Sequence, residues 1–502
     1  MKRTLSQEVF RNSFYNFLTT VTGRIGALIF TIILARLLLP SDFGIYSLAI
    51  TIALLFLTII DTGANSAVLK YSSNTSQNKK KISILYFKYI LKLKIIFSFI
   101  LSLIIIVFAY PISFYFFNKP DLLTPLILSA IYIIFLSIES LFSSLFFIFN
   151  DVKILFSKEL ASQILRVLFI LLVPILFIKK FYVSGVILSL MISVFIVLIL
   201  VFSITKRRYK LLFGSSKGKL KEIEKKDVTK FIFYISLGGI SAMFLSYIDI
   251  IMLGAFISDP SYVGYYKAAT LLVFSLAGLL TFSNVLLPKF AQLDEKRITQ
   301  SINRILRYTL MLGIPSTFGI IFLSKYVIRA IYGYEYLTAV YPLTILSFLI
   351  PVVIISGILY AFLSAKGKPE IYIKSSTIAF LLNVILNFIF IKYLIKFSFS
   401  WAITGAAIAT LISYSLYVGI LAFYVKKLFN VKLHYSIVAK SLIASIAMVL
   451  VLVFINSLVK DMNLVMGIVE VLLGMLTYFL MMFLIKGLNK EDIKLFDPRN
   501  LI

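Results

Sequence analysis

Pro40-Ser41-Asp42-Phe43-Gly44-Ile45-Tyr46-Ser47-Leu48-Ala49 recurs 220 residues further on as Pro260-Ser261-Tyr262-Val263-Gly264-Tyr265-Tyr266-Lys267-Ala268-Ala269. Pro, Ser, Gly, Tyr and Ala coincide between the two copies. Each copy joins two long apolar runs, 12–38 to 43–69 and 230–257 to 261–287. Runs of about 20 apolar residues, the length that crosses a hydrocarbon core of about 30 Å, continue from one end of the chain to the other. Inside lipid every backbone polar group must be satisfied within its own helix or a closed barrel. These runs are too long and too continuously apolar for barrel strands. The sequence therefore predicts an all-α integral membrane protein of about 14 transmembrane helices. Spans one to six resemble spans seven to twelve, and because six is even, the two lobes form a parallel pseudo-repeat about an axis along the membrane normal. Two C-terminal helices lie outside it. The expected boundaries are 1–205 for the first lobe, 206–229 for a basic cytoplasmic linker, 230–425 for the second lobe and 426–502 for the extra spans and tail.

Composition excludes several function classes. Of 502 residues, 61% are hydrophobic and 14% charged, where a soluble domain is nearer half and a quarter. The net charge of +29 would point to nucleic acid on a soluble protein. Here Lys and Arg sit in short loops, where they set orientation instead. With both termini cytoplasmic, 33 of the 50 basic residues fall in, or at the ends of, cytoplasmic segments, 9 in outer loops and 8 inside spans. That asymmetry places both termini in the cytoplasm, and the membrane expected is the cytoplasmic (plasma) membrane. The stretch from Lys206 to Lys230 holds ten basic and three acidic residues, suited to resting on anionic lipid headgroups. The absence of cysteine rules out thiol catalysis and thiolate metal sites. The single His434 has no partner histidine, so no metal site is expected. No catalytic motif appears either, and the chain reads as a transporter rather than an enzyme.

The informative residues are polar stripes on apolar helices. Ser47, Thr51, Thr58, Asp61 and Asn65 share one face of span two. Span one carries Asn16, Thr20, Gly23, Arg24, Ala27 and Thr31. Span five has Glu159, Gln163 and Arg166, span seven Ser246 and Asp249, and span eight Tyr266, Thr270, Thr281 and Asn284. Span eleven has Lys374, Asn383 and Asn387. A charge at the bilayer centre costs at least about 2.5–3.5 kcal/mol on insertion scales. Arg24, Asp61, Arg166, Asp249 and Lys267 are therefore candidates to line a watery substrate cavity, the alternative being pairing between helices, such as Arg24 with Asp61. Arg304 and Arg307, near the cytoplasmic end of span nine, are candidates for headgroup entry. The candidates lean positive, which suits an anionic substrate; arginine offers phosphate a two-pronged fork.

Several motifs resemble the polysaccharide exporter and O-antigen-type flippase branch of the multidrug/oligosaccharidyl-lipid/polysaccharide exporter superfamily. They are Leu34-Ala35-Arg36-Leu37-Leu38-Leu39-Pro40-Ser41-Asp42-Phe43-Gly44-Ile45-Tyr46, Tyr247-Ile248-Asp249-Ile250-Ile251-Met252-Leu253-Gly254, Val263-Gly264-Tyr265-Tyr266-Lys267-Ala268-Ala269, Tyr332-Gly333-Tyr334-Glu335-Tyr336 and the weaker Gly405-Ala406-Ala407-Ile408-Ala409-Thr410. The resemblance implies two lobes rocking by alternating access. It implies as cargo a polyprenyl-(pyro)phosphate-linked oligosaccharide moved to the outer leaflet for surface polysaccharide. No cofactor is implied beyond a coupling ion, H⁺ or Na⁺, and a monomer suffices. A lipid II flippase is the nearest rival; a multidrug extrusion transporter and a membrane glycosyltransferase or ligase are more distant ones.

Overall fold

The computed structural model describes residues 5–72, 80–213, 220–281, 295–429, 435–458 and 464–488. Among them there is no strand. The helices are α1 Leu5–Ser72, α2 Lys80–Pro111, α3 Leu123–Ile148, α4 Val152–Leu176, α5 Tyr182–Arg208, the short α6 Lys210–Phe213, and α7 Glu222–Phe256. They continue as α8 Ser261–Leu279, α9 Glu295–Ile331, α10 Val340–Leu346, α11 Leu349–Ala365, α12 Pro369–Leu394, α13 Phe399–Phe429, α14 Tyr435–Leu458 and α15 Leu464–Leu484.

Among the described residues twelve helices are long and apolar enough to cross a membrane, and Tyr334–Leu346, which includes α10, forms with α11 a further pair bent by 52°. The first of the twelve runs from Phe14 to Tyr71, 58 residues, or about 87 Å at the helical rise. That is roughly twice a whole bilayer. It is two spans, broken at Leu39 (φ 58°, ψ 171°). The break follows from Pro40, which drives the residue before it out of the α region and is itself suited to the first turn of a new helix. Dividing α1 there and counting the bent pair once gives fourteen spans, as the apolar runs predicted. The expected loop at 39–42 is instead a single non-helical residue. α7 also begins eight residues before the expected 230, where Glu224 Oε2 accepts the Lys221 N–H at 2.8 Å. Hydropathy does not register that charged first turn, because it lies outside the apolar run.

Large apolar side chains remain exposed along whole helix faces. Phe99, Leu103 and Val107 of α2 are 56%, 60% and 63% exposed, and Leu450 and Phe454 of α14 are 64% and 65% exposed. A soluble protein does not carry patches of that extent; here lipid covers them.

The chain divides into two compact units, residues 1–267 with 376–406, and 268–375 with 407–502. In the first, α1, α2, α3, α4, α5 and α7 share a core that includes Ala67, Phe87, Phe142, Phe146, Leu155, Val201 and Val228. Phe142 makes edge-on ring contacts with Phe87 and Phe202. In the second unit, α9, α14 and α15 close around Met311, Ala444, Met448, Tyr478 and Met482. The Tyr478 hydroxyl donates to the Met311 carbonyl at 2.8 Å. The Tyr332–Tyr336 motif is the turn after α9. Gly333 takes φ 104° there, a conformation that favours glycine, and the buried Tyr332 and Tyr336 rings lie 5.4 Å apart.

The two Pro-Ser-x-x-Gly motifs meet inside the first unit. A Cβ on Gly44 would run into the Pro260 carbonyl, and a Cβ on Gly264 into the Pro40 carbonyl. The same added atoms would lie 3.2 Å from the Gly264 amide nitrogen and 3.3 Å from that of Gly44. Exchange of the two motifs leaves the contact unchanged, which is the signature of a local two-fold.

Candidate functional site: charged networks between the helices of the first unit

Asp61 and Asn65, the last two residues of the polar stripe of span two, face α2 and α3. Lys94 of α2, its side chain fully buried, forms an ion pair with Asp61 at 3.0 Å. Its ammonium also donates to Asn65 Oδ1 at 2.7 Å and Ser140 Oγ at 2.8 Å. Asp61 accepts from the hydroxyls of Ser137 at 3.0 Å and Ser140 at 2.6 Å, and Ser98 donates to Ser137 at 3.0 Å. Asp61 thus pairs with Lys94 and not with Arg24. The register of α2 carries Lys94 deep between spans.

A second string of charge runs between α3 and α4. Lys158 meets Glu139 at 3.0 Å and Glu159 at 3.6 Å. Ser143 donates to Glu139 at 2.6 Å and Gln163 to Glu159 at 2.7 Å. α1 lies on this string through its small residues: a Cβ on Gly23 would approach Glu159 Oε1 at 3.1 Å, and one on Gly26 would meet Gln163. That is the close helix packing expected of this glycine pair. Glu139 escaped the sequence reading. Its signal was there in the run of Ser137, Ser140, Ser143 and Ser144 around a lone carboxylate on an apolar helix.

Arg24 and Arg166 flank the same seam. Arg24 is exposed, and Arg166 is half-buried with its Nε shielded and lacking an acceptor. Neither forms a hydrogen bond or ion pair with another described residue. Arg166 is near enough to Tyr46 and Tyr132 to act on them electrostatically.

The third network joins α7, α8 and α12. Asp249 is buried; it accepts from the Tyr266 hydroxyl at 2.7 Å and from Asn387 Nδ2 at 2.7 Å. Asn387 in turn donates to Asn383 Oδ1 at 3.1 Å. The stripe residues of spans seven, eight and eleven are thereby brought together. Lys267 lies with its ammonium 5.3 Å from the centre of the Tyr247 ring. In the second unit Arg304 is exposed, while Arg307 donates to the Gly487 carbonyl at 2.9 Å just beyond the end of α15. Asn284 and His434 lie outside the described residues.

Lys119, expected as an ordinary outer-loop charge, is 4% exposed. Its ammonium donates to the carbonyls of Gly254 and Ile257, both at 2.7 Å, and to that of Phe117 at 3.3 Å. It so caps the C-terminal end of α7, where a cation opposes the helix dipole. Burial lowers its pKa to about 8, against the opposing field of Asp259. No cluster of three or more metal-ligating side chains occurs among the described residues.

Two family models match the chain. One, described as a polysaccharide biosynthesis protein, covers residues 33–341; the other, described as lipid II flippase MurJ, covers 210–474. The probable low-salt glycan biosynthesis flippase Agl15 of Haloferax volcanii is 27% identical over 270 residues, 52% of this chain and 55% of the relative. The match thus spans about half the length of that relative. Among solved structures, lipid II flippase MurJ in an inward closed conformation aligns with a TM-score of 0.75 at 20% identity, over 94% of this chain and 98% of that one. An inward-facing multidrug resistance MATE family transporter aligns with a TM-score of 0.57 at 12% identity, over 84% and 96%. The fold is the one that MurJ adopts, and the chain belongs to the polysaccharide exporter and flippase branch of the multidrug/oligosaccharidyl-lipid/polysaccharide exporter superfamily.

Proposed function

We propose that the chain is a flippase. It carries a polyprenyl-(pyro)phosphate-linked oligosaccharide from the inner to the outer leaflet of the cytoplasmic membrane by alternating access, for surface polysaccharide. The observation that carries this reading is the pair of guanidinium groups, Arg24 and Arg166, that flank the α1–α4 seam without a partner among the described residues. A half-buried donor left unsatisfied is disfavoured by itself, and a phosphate that accepts from it removes the penalty. Arg24, with Arg166 and Lys267, holds the (pyro)phosphate; the polar stripes of spans two and eight contact the sugars, and the polyprenyl tail stays in lipid. The phosphate charge cannot cross hydrocarbon unaided, and fixed cations along a hydrated path lower that barrier. Binding stays modest, because a site that favours one state too strongly does not release its cargo on the other side. Asp61 or Asp249 serves the coupling ion, H⁺ or Na⁺. Both termini face the cytoplasm, and Arg304 and Arg307 lie near headgroup entry.

The family model that covers 210–474 favours lipid II as a second cargo class of the same chemistry. Cells that depend on this chain for export separate the readings. Arg24→Ala is expected to insert normally and to leave lipid-linked oligosaccharide in the inner leaflet. Arg24→Lys restores export only in part, because it keeps the charge and loses the fork. Accumulation of lipid II in place of oligosaccharide identifies the second cargo, and full export by a well-expressed Arg24→Ala protein refutes the proposal.

A further inference from the structure

A cleft of about 340 Å³ opens at the end of the first unit where α1 begins, α3 turns into α4 and α5 ends. It is lined by Arg11, Asn12, Tyr15, Asn150, Asp151, Lys153 and Arg208. Its size falls within the range of small-ligand sites, which begins near 300 Å³, yet its lining is almost wholly polar. Of its four charged side chains, two are consumed. Arg208 Nε and Nη2 grip Asp151 at 2.9 and 2.8 Å, and the Tyr209 hydroxyl takes a further share of Asp151 Oδ2. Both carboxylate oxygens are thereby occupied, and the guanidinium is held with its remaining N–H groups free to face a ligand. The side chains of Arg11 and Lys153 are exposed and form no hydrogen bond or ion pair with a described group. Among the described side chains, these two positive charges of the cleft are uncompensated.

Three further features define what fits. α4 starts at Val152, so its positive N-terminal end opens on the cleft and adds to the attraction for an anion. Asn12, Tyr15 and Asn150 offer amide and hydroxyl donors; Asn150 takes φ 56° to make the turn, which asparagine tolerates. Depth is the third. The candidate membrane span of α1 begins at Phe14, that of α4 at Val152, and that of α5 ends in the basic turn Lys206–Arg208. The cleft thus lies at the level of lipid headgroups. Phe14, Phe17 and Phe147, each within three residues in sequence of a lining residue, are 50%, 41% and 50% exposed and offer a hydrocarbon tail an apolar surface.

We propose that this cleft binds the phosphate-ester headgroup of a lipid in the leaflet on the side of the N-terminus. With the flippase reading above, on which this further step rests, that leaflet is the loading side, and the cleft is a receiving site distinct from Arg24 and Arg166. The cargo's (pyro)phosphate and an ordinary anionic phospholipid share the chemistry, and the test separates them.

The full-length protein in phosphatidylcholine nanodiscs is titrated with a polyprenyl diphosphate, with phosphatidylglycerol and with inorganic pyrophosphate. Arg11→Gln with Lys153→Gln is expected to weaken lipid phosphate binding about tenfold or more. The control removes equal charge from the same face: Arg207→Gln with Lys210→Gln, in the neighbouring groove lined by Ser203, Lys206, Arg207, Lys210 and Phe213, is expected to change it less than about twofold. Preference for the polyprenyl diphosphate assigns the site to cargo, and preference for phosphatidylglycerol assigns it to structural lipid. Equal losses in the two double variants, no loss in the first, or binding of inorganic pyrophosphate without either lipid overturns the proposal. All four substituted residues are exposed, and unchanged thermal unfolding verifies that the variants fold. Because the readout is binding and not export, it stands or falls independently of the Arg24 experiment.

Discussion

Where α1, α2 and α3 meet, each charge has an answering group: Lys94 has Asp61, Asn65 and Ser140, and Asp61 has Lys94, Ser137 and Ser140. At the seam of α1 with α4, Glu159 and Lys158 are answered too, but the two arginines that flank it, Arg24 and Arg166, are not. Both regions carry charge into a bilayer, where an unpaired ion is disfavoured by several kcal/mol. The first resolves that within the protein and so contributes to a fixed structure. The second leaves donors open, which is useful only if something that arrives from outside fills them. The distinction between a satisfied and an open cation, rather than the mere presence of charge in a span, marks a place for cargo.

The most severe way to break this contrast is Asp61→Asn. It leaves a fully buried ammonium without its counter-charge, and loss of one member of a buried pair typically costs about 3–5 kcal/mol. Lys94→Met is expected to cost less, since Asp61 keeps two hydroxyl donors and is 18% accessible. The double variant should recover much of the Asp61→Asn loss. Arg166→Gln is expected to leave stability unchanged while it impairs export. Thermal unfolding in detergent ranks the four, and an Arg166→Gln protein as unstable as Asp61→Asn would erase the difference between the regions.

The reciprocal contact of the two repeats offers a second, smaller test. Gly44→Ala and Gly264→Ala each drive a methyl against a backbone carbonyl that cannot swing aside as a side chain does. A loss of about 1–3 kcal/mol is expected from such overpacking, and nearly the same for both, because a local two-fold makes them equivalent. Unequal losses in the same unfolding assay would show that the repeats meet less symmetrically than their sequences do.

The sequence exposed the spans because apolar length is a local property, readable one helix at a time. It also placed Asp61 and Asn65 on one face, and Asn383 with Asn387, since helical spacing is local as well. What it did not reveal are pairings between distant helices. Nothing in the neighbourhood of Lys94 names Asp61, and nothing around Lys119 names the end of α7; both depend on the register at which helices slide past one another. The charged start of α7 was hidden for a different reason, since a helix that projects beyond the bilayer needs no apolar run.

Glu470 of α15 sharpens the contrast from the opposite side. It is fully buried and neither carboxylate oxygen has a partner among the described residues, yet α15 lies far along the chain from the two Pro-Ser-x-x-Gly motifs. An unsatisfied buried polar group costs about 1–3 kcal/mol in mutational data. Glu470→Met is therefore expected to stabilise the protein by about 1 kcal/mol or more and to leave export unchanged. A loss of export would mean that an open charge marks function in the last helix pair as well.

The smallest expected effect concerns Lys119, a cation that is satisfied but buried, outside the spans. Its ordinary pKa of 10.5 falls to about 8 because burial disfavours the charged form, and Asp259 reverses only part of this. Between those two values the unfolded chain holds a proton that the folded one has released. Stability therefore rises with pH across that window, and the desolvation penalty stays in full below about pH 8. Deprotonation does not undo the cap, because a neutral amine retains N–H groups for the carbonyls of Gly254 and Ile257. One proton sets the slope at no more than about 1.4 kcal/mol per pH unit. Since other groups titrate in the same range, the quantity to measure is the difference in unfolding free energy between the parent and Lys119→Met. That difference is expected to move in favour of the parent from pH 8 to pH 9.5 and to be flat from pH 6 to pH 7. A difference that stays flat through pH 9.5 would mean that water reaches the ammonium, and that the cap on α7 is as open as the arginines at the seam.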